Sequence, residues 1–235
     1  MFYSKCRLSS MDTPVIIINV KTYEEGTGKK AVELAKCIEK VRNESKVEIA
    51  IAVQPTDIYA VCHATNIPVF AQHIDAIKYG SHTGWILPEA VKEAGATGTL
   101  LNHSERPLSM DEIAKGIERA HELKMDTVVC AGNVDMAMAV AALSPHFVAI
   151  EPPELIGGDI SVTTAEPEIV RNAVDEVKKI NAAVKVLCGA GVKKGEDVRK
   201  AIELGTDGVL LASGVVKARD KESVLKNLAK GIERV

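Results

Sequence analysis

One rhythm constrains this chain more than any other feature. Short, continuous apolar runs rich in β-branched residues alternate with stretches whose apolar residues recur at helical spacing, eight times from Val15 to the C-terminus. The strand-like runs are Val15–Ile18, Val47–Val53, Ile67–Ala71, Thr97–Leu101, Asp126–Cys130, His146–Ile150, Val184–Cys188 and Gly208–Leu211. The first helical stretch, Lys30–Arg42, is typical, with Val32, Leu34, Ala35, Ile38 and Val41 on one side. Ser109 and Glu112 form a capping-box pattern that starts the helix running to about Lys124. Strands that are apolar on both faces belong in a parallel sheet covered by helices. Eight such units close most naturally into a (β/α)8 barrel, an α/β fold of a single domain. An open doubly wound sheet is the alternative, but it seldom uses eight regular units of this length.

No linker, low-complexity segment or shift in composition divides the 235 residues, so one catalytic domain over residues 15–235 is expected. Residues 1–14 are expected to precede it as an N-terminal extension. Met1–Ser10 lacks the apolar core of a signal peptide, and Met11 offers a second start. The net charge of −3 and the lack of a basic run argue against nucleic acid as a partner. No run of about 18 apolar residues is present, so no membrane partner is expected. The five cysteines are an odd set without C-x-x-C spacing, which points to free thiols in a reducing cytoplasm rather than a disulfide or zinc framework. No G-x-G-x-x-G, P-loop or metal-ligand spacing appears, so neither cofactor nor metal is expected.

In a barrel, residues just after each strand gather on one rim, and chemistry is built there. The first strand delivers Asn19 and Lys21 to the same side of an extended backbone. Lys21 suits a substrate anion, or is simply a solvated lysine at a loop start. The fourth strand delivers His103 as a general acid, electrophile or ligand, while the other five histidines fall in helices, loops or a strand start. The sixth strand ends in Glu151, followed by Pro152-Pro153-Glu154-Leu155-Ile156-Gly157-Gly158. On its own that stretch reads equally as a strand terminator or as a buried base followed by a hinged lid. The seventh and eighth strands end in Gly189-Ala190-Gly191 and Ala212-Ser213-Gly214, small residues that let backbone amides approach a phosphate. A carboxylate, a histidine, a lysine and a phosphate cradle suit proton abstraction beside a carbonyl in a small phosphorylated substrate.

Asn19-Val20-Lys21, Asn102-His103-Ser104-Glu105-Arg106 and Ala149-Ile150-Glu151-Pro152 resemble the signature segments of the triosephosphate isomerase family. Cys188-Gly-Ala-Gly-Val192 and Leu210-Leu-Ala-Ser-Gly214 resemble the phosphate loops of its compact archaeal branch, and the likeness runs from about Val15 to the C-terminus. The resemblance implies an isomerase interconverting dihydroxyacetone phosphate and glyceraldehyde 3-phosphate, without cofactor. It implies Glu151 as base, His103 as neutral electrophile and Lys21 as the charge on the substrate. Asn19, Val20, Ile156, Gly191, Ala212 and Ser213 would help bind that substrate. It also implies a homo-oligomer, a tetramer ahead of a dimer, in which the loop from Gln72 to Gly84 crosses to a neighbouring subunit and Thr83 reaches the partner's site. Pro107 after Arg106, and Gly157-Gly158-Asp159 at the end of the lid, depart from the common family pattern. A sugar-phosphate epimerase or indole-pathway isomerase on the same barrel would be expected to show metal-ligand histidines or opposed acidic pairs. A non-catalytic binding protein would not be expected to retain Asn19, Lys21, His103 and Glu151 together.

Overall fold

The computed structural model describes residues 11–152 and 162–233. Eight parallel strands close in sequence order into a barrel. They are β1 (Val15–Asn19), β2 (Glu48–Val53), β3 (Val69–Ala71), β4 (Gly98–Leu101), β5 (Asp126–Ala131), β6 (Phe147–Ile150), β7 (Lys185–Cys188) and β8 (Gly208–Leu211). β1 closes the ring by pairing with both β2 and β8, placing Ile17 opposite Ala50 and Leu210.

The period of two along each strand divides the apolar runs between two cores. Val15 and Ile17 of β1 point into the barrel with Ala50, Ala52, Phe70, Leu100, Val128, Phe147, Ala149, Leu187 and Leu210. Two phenylalanines fill that interior beside three alanines, and both rings are fully buried. Ile16 and Ile18 point the other way, into the layer under the helices, with Ile49, Ile51, Val129, Val148 and Val186. Both faces of each strand are therefore buried, which is why the sequence shows continuous rather than alternating runs.

The principal outer helices are α1 (Lys29–Ser45), α2 (Ile58–Ala64), α3 (Pro88–Glu93), α4 (Met110–Glu122) and α5 (Val134–Ala141). They are followed by α6 (Val162–Ala165), α7 (Pro167–Ile180), α8 (Gly195–Glu203), α9 (Ser213–Val216) and α10 (Lys221–Glu233). α1 buries Leu34, Ala35, Ile38 and Val41 as its spacing predicts, whereas Val32 is only partly covered. The Ser109–Glu112 capping box forms at the start of α4. A 3-10 turn at Glu24–Gly26 and the four-residue helices α6 and α9 were not expected from the sequence. Such elements are too short to show a 3.6-residue period. The segment expected to lie ahead of the barrel enters it at Met11, which is buried in the interior core and whose carbonyl accepts from Lys185 Nζ at 3.1 Å. Among the described residues, no helix is long and apolar enough to cross a membrane.

Candidate active site

The C-terminal ends of the strands surround a pocket. Asn19 and Lys21 from the β1 exit, His103 after β4 and Glu151 after β6 all line it. So do Gly191 from the β7 loop and Ala212 and Ser213 from the β8 loop. The structure thus brings together seven of the expected site residues. Val20 is not among the pocket-lining residues: its side chain is fully buried in the outer core, because it alternates with Asn19 and Lys21. Ile156 and the expected lid lie outside the described residues.

Glu151 leaves β6 with its amide bonded to Ala131 O at 2.9 Å. Its side chain is almost wholly buried, and its Oε2 has no hydrogen-bond partner among the described residues. Burial pushes the carboxyl pKa up to about 7, opposed by hydrogen bonding from the Cys130 thiol and by the charge of Lys21. A desolvated carboxylate with one oxygen unpartnered among the described residues, and a pKa raised toward neutrality, is equipped to take and return a proton.

His103 sits in a tight turn held from both sides by its neighbour Asn102, which has a left-handed φ of 56°. Asn102 Nδ2 donates to Cys130 O at 2.9 Å, and Asn102 Oδ1 accepts from Leu108 N at the same distance. The amide of Glu105 donates to His103 Nδ1 at 3.1 Å. In the neutral ring the hydrogen is therefore on Nε2. Burial first, and then the charge of Lys21, lower the His103 pKa, while Glu105 opposes them. The imidazole thus stays neutral and donates through Nε2.

Lys21 adopts a left-handed φ of 50°, and its backbone N–H donates to Asn19 Oδ1 at 2.9 Å. Its Nζ pairs with Glu105 Oε1 at 2.7 Å, so an anionic substrate must compete with that carboxylate for the ammonium. Across the pocket, Gly191 holds a φ of 68°, a conformation that side-chain-bearing residues adopt rarely. Ser213 opens α9, whose first turn leaves backbone amides without helical acceptors. Gly189 of the small-residue loop after β7 also lines the pocket, as do Tyr23 and Lys193, which were not expected there. Lys217 Nζ lies 4.1 Å from the centre of the Tyr23 ring and joins the first and last loops. Lys193 follows the Gly-Ala-Gly turn by two residues, and that spacing was the one signal available for it. Among the described residues, no group of three His, Cys, Asp or Glu side chains is placed to hold a metal ion.

The sequence profile of the triosephosphate isomerase family matches residues 14–229. The triosephosphate isomerase of Methanothermus fervidus is 53% identical over 218 residues, covering 93% of this chain and 98% of that protein. That of Methanocaldococcus jannaschii is 51% identical over 218 residues, covering 93% of this chain and all of that protein. The crystal structure of triosephosphate isomerase from Bartonella henselae superposes with a TM-score of 0.76 at 19% identity, over 94% of this chain and 99% of that one. That last likeness bears on the fold alone.

Proposed function

The chain belongs to the triosephosphate isomerase family, an aldose–ketose isomerase of glycolysis and gluconeogenesis, and we propose that Glu151, His103 and Lys21 carry its reaction. That reaction interconverts dihydroxyacetone phosphate and D-glyceraldehyde 3-phosphate through an enediolate. Glu151 removes a proton from the carbon beside the carbonyl and returns it to the neighbouring carbon. His103 donates from Nε2 to the substrate oxygens, and Lys21 supplies positive charge as the enediolate forms. A glutamate base with a neutral histidine is the pattern already known for this family. Asn19 orients the substrate, and the amides of Gly191, Ala212 and Ser213 take the phosphate.

The observation that carries this reading is the buried carboxylate of Glu151, its Oε2 unpartnered among the described residues, in one pocket with Lys21, His103 and two small-residue loops. A coupled assay with glyceraldehyde 3-phosphate tests it. Glu151→Asp withdraws the carboxylate by one methylene and should lower kcat about a hundredfold with little change in KM. A near-normal kcat would remove Glu151 as the base.

The same reading extends to assembly. Residues 78–85 are all exposed and present Tyr79 (74%) and Trp85 (58%) to solvent. The loop behind them is held firmly: Asp75 accepts from Ile86 N at 2.6 Å, His73 and Arg106 bond to Asp75, and Arg119 binds Ile77 O and Glu89. A pre-shaped loop with aromatic residues at its tip suits contact with a second copy, with Thr83 turned toward the partner's pocket, in a tetramer ahead of a dimer. The free thiols of Cys37, Cys62, Cys130 and Cys188 support a cytoplasmic setting.

A further inference from the structure

Gln72 follows β3 at the end opposite the barrel's floor, and its side chain reaches sideways across two strands. Its Nε2 donates to Lys21 O at 2.8 Å and to Asn19 Oδ1 at 3.1 Å, with Ala52 O beyond at 3.5 Å. Asn19 Oδ1 accepts from Lys21 N at 2.9 Å as well. The Gln72 backbone N–H is anchored on Val53 O at 3.2 Å. One primary amide therefore closes a ring around the β1 exit, holding Lys21 by its carbonyl and Asn19 by its side chain.

The ring answers two questions the pocket raises. Lys21 has a left-handed φ of 50° that a lysine adopts rarely, and a restraint is needed to keep it there. The Gln72 bond to its carbonyl and the Asn19 bond to its N–H grip both sides of that residue. The second question is which end of Asn19 faces the substrate. With Oδ1 committed to two internal donors, Nδ2 is left to act as donor into the pocket. Gln72 lies in the groove beside the main pocket and is not among the residues lining it.

We propose that Gln72 is a positioning residue for substrate binding, which fixes the backbone of Lys21 and the orientation of Asn19 through a single side-chain amide. The proposal rests on the roles given above to Lys21 and Asn19. The groups facing the amide nitrogen are all acceptors, Lys21 O and Asn19 Oδ1 with Ala52 O beyond, so replacing the NH2 with a carboxylate oxygen turns these contacts repulsive at nearly constant volume. If Asn19 turns over to meet the new carboxylate, the Lys21 N–H loses its acceptor.

The test compares Gln72→Glu and Gln72→Met in the isomerase assay, each alone and combined with Lys21→Ala. Gln72→Glu should raise KM about tenfold with a smaller change in kcat, and Gln72→Met about threefold, because it removes the donor without adding repulsion. If the effect passes through Lys21, adding Gln72→Glu to Lys21→Ala should change kcat/KM by less than about twofold. If Gln72→Glu does not fold, the same comparison is made with Gln72→Met. A normal KM for Gln72→Glu beside a damaged Lys21→Ala overturns this proposal alone. An equal loss in both backgrounds also overturns it, because the side chain would then be acting on the fold generally. A normal KM for Lys21→Ala by itself would overturn the role of Lys21, and this proposal with it.

Discussion

Gly189→Ala is the most direct test of how the catalytic carboxylate is housed. A methyl group added there would lie 2.4 Å from Glu151 Cγ and 3.0 Å from its Cδ and Oε1. Ordinary contact begins at 3.4 Å, so the glutamate stem and the new methyl would be about 1 Å too close. Gly189 is not among the residues with positive φ, so alanine meets no left-handed strain there, and the three nearest atoms the methyl would meet all belong to Glu151. The Gly189 amide is fixed on Ile150 O at 3.0 Å, which limits how far the loop can yield. The carboxylate must therefore retreat. A misplacement of about 1 Å at a reacting group costs about a hundredfold in rate, or about 2.7 kcal/mol in barrier height. The coupled assay should show this loss in kcat with KM nearly unchanged, in a protein that still melts cooperatively. A folded Gly189→Ala enzyme with kcat within about threefold of the parent would refute the idea that the missing side chain makes room for the base.

The raised pKa of Glu151 has consequences for both rate and stability. The base must be ionised, so kcat/KM should fall on the acid side with a midpoint near the value of about 7 set by burial; a midpoint below 5 would remove Glu151 from that limb. Because the folded-state pKa lies above the ordinary 4.5, the folded chain holds the extra proton between the two values. Stability from this group is therefore complete at acid pH and lost as pH rises through that window. Glu151→Gln removes the buried charge and should be the more stable protein at pH 8, by on the order of 3 kcal/mol as an upper limit, with the gap closing toward pH 4. Urea unfolding at the two pH values checks this, and a pH-independent difference would contradict it. For assembly, sedimentation should give a species larger than the 25.2 kDa chain, and paired Tyr79→Asp and Trp85→Asp changes should shift it toward the monomer and weaken activity. A parent that is monomeric at micromolar concentration and fully active would exclude the proposed contact.

Much of this molecule is determined by its linear sequence, for reasons that are local. Eight continuous apolar runs specify strands buried on both faces, and eight intervening helical stretches specify a parallel barrel. Ser109 and Glu112 mark a helix start because the cap involves groups three residues apart. Lys21, His103 and Glu151 were legible as strand-end residues, since a barrel collects such ends on one rim. Tertiary structure decided the contacts between distant segments. Lys21 meets Glu105 across 84 residues, and Gln72 meets Lys21 across 51. Gly189 looks like any glycine of a tight turn until β6 and β7 are paired, when its missing side chain becomes the space Glu151 occupies. Val20 shows the same division on a smaller scale. Its neighbours in the chain enter the pocket, while alternation along the strand sends Val20 into the outer core. The sequence left Glu151 open between a strand terminator and a buried base; its near-neutral pKa arises from burial that the closed barrel imposes.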